Sequence, residues 1–357
     1  MRRLLFASLL LGPAAAAQED TTAGRVPRVV VPRDSARVAA LYVSNRPEDH
    51  PPADYARAMR TKATIDSTYA ARSTGVMRYE KRSYRSRHGD LDIPVYVFSP
   101  LAPSRGPRPA LVWVHGGVHG TWDVQYFPFV VEATRRGYVV VAPDYRGSTG
   151  YGEAHHRAID YGGREVDDVE DALDFLATMP SVDRQRVGLM GWSHGGYITA
   201  LLMMRGSRAR FVSGAAIVPV TNLIFRLSYK GPGYQRNFST QDGLRGLPFE
   251  KREEYIRRSP YYHVDSLERP LLVHIASNDT DVNFEEARPL VDALLARKSG
   301  LAEAKIYWNP TPGPTSVGHT FSRRVNRTTL EREDSPEQID SWNRVWALFE
   351  RTLQPNR

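Results

Sequence analysis

The chain has no cysteine. This excludes disulfides, thiolate metal sites and attachment of a lipid to a cysteine. Lysine is scarce too, supplying six of the 48 basic residues, so arginine carries nearly all the positive charge. A formal net charge of +8 and a pI of about 9.6 invite a nucleic-acid reading. The arginines are scattered among acids, however, as in Arg164-Glu165-Val166-Asp167-Asp168 and Glu331-Arg332-Glu333-Asp334. A nucleic-acid binder gathers its basic residues on one stripe or helix, so no nucleic-acid partner is expected. Past the N-terminus no apolar run approaches the roughly 20 residues of a membrane-spanning helix. There is no H-E-x-x-H pattern, and the adjacent His155 and His156 cannot share a helix face as metal ligands would. Walker-type and dinucleotide glycine patterns are also missing. The reading is therefore of a protein without metal or cofactor.

The first residues have the layout of a secretory signal peptide. Arg2-Arg3 form a basic start, Leu4 to Gly12 an apolar stretch, and Ala14 to Ala17 a small-residue cleavage site. The apolar stretch is too short for an anchor and is interrupted at Gly12-Pro13. Residues 1–17 are expected to be removed, leaving a secreted or periplasmic protein with no stable membrane anchor. Without disulfides such a protein depends on its core, and 357 residues suffice for a large one. Residues 18–75 are polar and rich in Arg and Ala, with helical patterns at Asp34–Tyr42 and Asp54–Lys62. They read as an extension that packs on the main domain or covers its cleft. Residues 76–357 read as the catalytic domain.

From Met77 onward strands alternate with helices. Arg78–Arg85 and Ile93–Phe98 flank the His88-Gly89-Asp90 turn. Pro109–His115, Tyr138–Ala142, Val187–Met190, Phe211–Val218, Leu271–Ile275 and Ala304–Trp308 are further strands, several apolar enough to be buried on both faces. Glu165–Met179 is amphipathic, with Val166, Val169, Leu173 and Leu176 on one face. Phe284–Lys298 and Gln338–Leu353 complete the helices. This alternation predicts a mostly parallel central sheet with helices on both faces.

Gly191-Trp192-Ser193-His194-Gly195 matches the G-x-S-x-G elbow that lifts a serine hydroxyl clear of the backbone at a strand-to-helix turn. The apolar strand before it and the helix-compatible Tyr197 to Leu202 after it supply the context the motif needs, and that of an α/β-hydrolase fold. Ser193 is thus the candidate nucleophile. In this fold the acid and then the histidine follow the serine. Only His319 lies beyond His274, which makes it the candidate base. The loop after Leu271–Ile275 offers Asp279 and Asp281 as the orienting acid. Asp279 is preferred, with Asp281 suited to capping the helix at Phe284. An oxyanion needs two donors. One is the amide of His194. The other comes from His115-Gly116-Gly117, where Gly116 or Gly117 brings its amide close without a side chain in the way. Such machinery cleaves acyl compounds through an acyl-enzyme.

Several blocks together resemble the catalytic domain of the prolyl oligopeptidase family of serine peptidases, which includes dipeptidyl and acylaminoacyl peptidases. They are His115-Gly116-Gly117, Tyr145 to Gly152, Glu165 to Val169, Gly191 to Tyr197, Arg258-Ser259-Pro260 and Gly318-His319. The likeness spans about residues 85 to 350. It implies the triad Ser193, Asp279 and His319, with oxyanion donors from His194 and the Gly116-Gly117 loop. It also implies short peptides as substrates. Two other functions use the same fold: a carboxylesterase acting on ester substrates with this triad, and a catalytically silent binding protein. The chain departs from the family in three places. Residues 18–75 are too few for the β-propeller that relatives usually carry. Val118 stands where many relatives have proline. Pro219 to Arg226 resembles the segment lining the proline pocket, with Leu223 and Arg226 in place of its usual aromatics. Leu223, Phe225, Arg226 and Tyr229 are the expected substrate-binding residues, and Phe225, Tyr229 or Tyr234 remain to form an aromatic wall.

Overall fold

A computed structural model describes residues 53–205, 211–239, 241, 243–311 and 318–355. The expected signal peptide and the helical pattern at Asp34–Tyr42 lie outside these residues. Eight strands form one sheet: β1 (Arg78–Arg85), β2 (Asp92–Ser99), β3 (Arg108–Val114), β4 (Val139–Pro143), β5 (Val182–Trp192), β6 (Ser213–Ile217), β7 (Leu271–Ala276) and β8 (Ala302–Tyr307). Their spatial order is β1-β2-β4-β3-β5-β6-β7-β8. The β1–β2 hairpin and the β2–β4 pairing are antiparallel, and every later pairing is parallel. Helices cover both faces, as expected for an α/β-hydrolase fold.

Alternation along the central strands divides the core in two. On β3, Ala110, Val112 and Val114 face one cluster, while Leu111 and Trp113 face the other. On β5, Val187 and Leu189 join the first and Met190 and Trp192 the second. The first cluster is roofed by α4 (Arg164–Ala177) and α5 (His194–Met204). Phe175 joins Val166, Val169 and Leu176 on the buried face of α4, and Leu173 packs at its margin. The second cluster lies under α1 (Tyr55–Ser73), α2 (Phe127–Arg135) and α10 (Pro336–Leu353). Ser335 caps α10, accepting from the Gln338 amide at 3.3 Å.

Helix α1 begins at the expected place, where Asp54 accepts from the Arg57 amide at 2.8 Å, but continues eleven residues past Lys62. Ile65 and Tyr69, on its inner face, extend the helix because both are buried in the second cluster. Tyr69 packs against Tyr79, Tyr96, Phe98 and Phe127 and donates to the carbonyl of Asp123. Between β6 and β7 the chain forms short helices that pattern alone does not announce: α6 (Leu223–Tyr229), α7 (Pro232–Ser239) and α8 (Arg252–Arg257). Helix α3 (Gly152–Arg157) and α9 (Phe284–Arg297) complete the set.

Candidate active site

Ser193 stands between β5 and α5 with φ 55° and ψ −116°, a left-handed strain that a tight elbow imposes on its apex. The neighbouring glycines are required by contact. A side chain at Gly191 would overlap the backbone of Gly195, and one at Gly195 would overlap the carbonyl of Val114. The elbow is tied down through Ser193 N–H to the Ile217 carbonyl at 2.9 Å.

The loop after β7 carries both candidate acids, and the structure separates them. Asp279 is buried, and its Oδ2 lies 2.8 Å from Nδ1 of His319. Its Oδ1 accepts the amides of Asp281 (2.8 Å) and Val282 (2.9 Å), which fixes the carboxylate plane. Asp281 lies on the other side of the imidazole, with Oδ2 3.7 Å from Nε2. Its Oδ1 takes Lys230 Nζ at 2.6 Å and Arg226 at 3.1 Å. Burial alone would raise the Asp281 pKa, but His319, Arg226 and Lys230 hold it well below the ordinary carboxylate range. Gly318, at φ +74°, lets the histidine turn lie against the backbone of Asn278, beside Asp279. Three residues past His319, Ser322 accepts from the indole of Trp192, the residue before Ser193, at 2.8 Å. The histidine turn is thus seated beside the elbow.

On the opposite side lies the loop after β3. Gly116 approaches so closely that an added Cβ would sit 3.0 Å from the Trp192 carbonyl and 3.3 Å from Ser193 Cβ. Its amide donates to the Tyr126 hydroxyl at 3.2 Å. Gly117 follows at φ +78°, with its carbonyl accepting from Tyr145 Oη at 2.7 Å. The His115 ring is fully buried, stacks on Tyr145, and pairs with Ser148 Oγ at 2.8 Å. Burial drives its pKa down to about 4 despite the nearby Asp144 carboxylate.

His194 opens α5, where the first amides of a helix have no acceptor within it. Its side chain points into the core among Tyr145, Tyr161 and Tyr197. Among the described residues neither ring nitrogen has a hydrogen-bond partner, and burial pushes the imidazole pKa well below its usual value. Glu165 Oε1 lies 3.6 Å from His194 Nε2.

The expected substrate-binding residues fall into two groups. Leu223 is in the core, whereas Phe225 is exposed. Arg226 is 4% exposed and fully engaged, donating to Tyr234 Oη (2.9 Å), Tyr229 Oη (3.0 Å), Glu286 Oε2 (3.2 Å) and Asp281. Tyr229 Oη also donates to Glu286. These residues make one polar network from the core to the rim, anchored on Glu286 of α9, a residue that no motif singles out. Its spacing of 60 residues from Arg226 carries no local signal.

No helix among the described residues is long and apolar enough to cross a membrane. The family model described as the prolyl oligopeptidase family matches residues 121–330. An uncharacterized peptidase of Bacillus subtilis, YuxL, is 33% identical over 238 residues, which is 66% of this chain and 34% of that protein. Dipeptidyl aminopeptidase BIII of Pseudoxanthomonas mexicana is 30% identical over 62% of this chain and 31% of its own length. The chain therefore spans about a third of each. Among solved structures, a puromycin-hydrolyzing peptidase of Mycobacterium tuberculosis superposes with a TM-score of 0.63 at 23% identity, covering 78% of this chain and 39% of that one.

Proposed function

The chain belongs to the prolyl oligopeptidase family, and on that premise we propose that it is a serine peptidase cleaving short peptides with the triad Ser193, Asp279 and His319. The observation that carries this reading is the 2.8 Å contact between His319 Nδ1 and a doubly hydrogen-bonded Asp279, in a chain whose Ser193 is the apex of a strained elbow. A relative described as a dipeptidyl aminopeptidase supports amide substrates.

Ser193 Oγ attacks the substrate carbonyl carbon while His319 Nε2 takes its proton. Asp279 holds the imidazole in the tautomer with a proton on Nδ1 and stabilises the imidazolium. The developing oxyanion takes hydrogen bonds from the amides of His194 and the Gly116-Gly117 loop. Gly117 is the better donor of the two glycines, since the Gly116 amide serves Tyr126. The carbon–nitrogen bond then breaks, with the amine leaving on the proton returned by His319. Water, deprotonated by His319, releases the acyl group. None of these steps calls for a cofactor. We further propose export through residues 1–17, a reading supported by their sequence pattern alone.

A carboxylesterase is the second reading: the resemblance implies aromatic pocket walls near Leu223 and Arg226, but Leu223 lies in the core and Arg226 is engaged by Glu286 and Asp281. The test is kcat/KM on alanyl- and prolyl-peptide anilides beside short-chain aryl esters, with Ser193→Ala as blank. Ser193-dependent amide cleavage is expected. Ester turnover with amides at the blank level would replace the peptidase reading by the esterase one.

A further inference from the structure

Of the six lysines, Lys62 is buried, 3% exposed on the inner face of α1. Its ammonium reaches two separate segments of the domain. It lies 2.5 Å from Asp144 Oδ2, donates to Thr121 Oγ1 at 2.6 Å and donates to the Trp122 carbonyl at 2.9 Å. The rings of Tyr96 and Tyr151 flank it at 4.6 and 5.3 Å. Asp144 is fully buried and accepts in turn from the Trp122 amide (2.6 Å) and Tyr151 Oη (2.5 Å). Space is reserved for the lysine stem: Gly150, at φ +105°, has no side chain, and a Cβ there would fall 2.7 Å from Lys62 Cβ.

A helix that needed only adhesion would not bury an ammonium. Desolvating two ions costs several kcal/mol, and apolar residues of similar volume often do as well or better. Ile65 and Tyr69 already supply the adhesion. What the pair adds is geometry, because the segment Lys62 grips is the end of the loop that begins at Gly116 and Gly117. The rest of that loop is tied to the same 144–151 segment. Gly120 O accepts from Thr149 N (2.9 Å), His119 O from Thr149 Oγ1 (2.5 Å) and Gly117 O from Tyr145 Oη (2.7 Å).

We propose that Lys62 is a positioning residue for the oxyanion loop, bridging Asp144 and Thr121-Trp122 so that the Gly117 amide is held where the tetrahedral intermediate forms. This rests on the reading of Ser193 as nucleophile and makes α1 part of the machinery instead of a cover.

The experiment uses the full chain, Lys62→Met, and Lys62→Met/Asp144→Asn, which leaves no buried carboxylate unpaired if the single variant folds poorly. Three quantities are read: kcat and KM on an aryl ester, the rate at which an alkyl fluorophosphonate labels Ser193, and the melting temperature. The labelling reaction needs the same donors for its phosphoryl oxygen. In whichever variant stays folded, kcat and the labelling rate should both fall about 10- to 100-fold, the scale of a displaced donor, with KM within about twofold. Wild-type kcat and labelling in a folded variant would overturn the proposal, as would a rise in KM at constant kcat. Failure of the wild-type chain to label at Ser193 points instead to the nucleophile assignment, and the proposal falls with it.

Discussion

Two polar networks flank Ser193 and are built differently. On the side proposed to hold the oxyanion, Lys62, Asp144, His115 and Ser148 are all at most 3% exposed, and their partners are largely backbone groups and hydroxyls. On the acid–base side the network grades outward. Glu286 is in the core, Arg226 just above it, and the side chains of Lys230 and Asp281 are 21% and 40% exposed. The difference follows from what each holds. Backbone donors stabilise a developing charge only if they are already in place when it forms, so their support is rigid and dry. The proposed general base must instead meet substrate and pass a proton, and on that reading buried Asp279 is the fixed partner of His319 and half-exposed Asp281 lies on its solvent side.

That contrast is tested hardest at its centre. Ser193→Ala should reduce kcat by about 10⁶-fold, the scale of losing a triad nucleophile, while melting temperature stays near wild type. The two acids should then part company. Asp279→Asn should cost about 10⁴-fold, because the amide favours the wrong imidazole tautomer. Asp281→Asn should cost less than about tenfold, since its Oδ1 contacts to Arg226 and Lys230 can be kept by the amide oxygen. A reversed ranking in steady-state kinetics would make Asp281 the orienting acid.

Next in size is the anchor of the open network. Arg226→Met should destabilise the fold by about 3–5 kcal/mol in urea denaturation, because Glu286 would be left as an uncompensated buried charge. Adding Glu286→Gln should recover much of the loss. A cost below about 1 kcal/mol for the single variant would mean the network is not held from the core.

These two networks were not equally legible in the sequence. The acid–base side follows chain order: an elbow serine, acids in the loop after a strand, and a single histidine beyond His274. The central strands and the helices α4 and α10 were equally plain, since β3 and residues 187–192 of β5 are near-continuous apolar runs and α4 and α10 have clear apolar faces. On the side proposed for the oxyanion, the close approach of Gly116 to Ser193 was signalled by the paired glycines, but the contacts of Lys62 were not. A lysine among polar residues on an amphipathic helix reads as solvated. Its partners lie 59 to 82 residues away, and no local pattern encodes a contact of that span. The helices α6 to α8 were missed for a related reason. Runs of six to eight residues are too short to display a helical period.

A further buried acid sharpens the comparison. Glu165 lies beneath the elbow on α4, fully buried like Asp144 and Glu286, but without a lysine or arginine at ion-pair distance among the described residues. Two backbone amides, Gly162 and Gly163, donate to it instead. Burial, reinforced by the charge of Asp160, pushes its pKa from 4.5 up to about 8. The folded state therefore binds a proton here that the unfolded chain has released at intermediate pH. Stability from this group is complete below about pH 4.5 and is lost as pH rises through about 8. Glu165→Gln keeps a carbonyl oxygen for the Gly162 amide and cannot ionise. Comparing melting temperature across that window with the wild type cancels every other titrating group. The wild type should lose stability relative to the variant as pH rises from 5 to 8.5. Parallel curves would show that Glu165 is ionised in the folded protein, and that a carboxylate can sit beneath Ser193 without the cation that Asp144 and Glu286 each have.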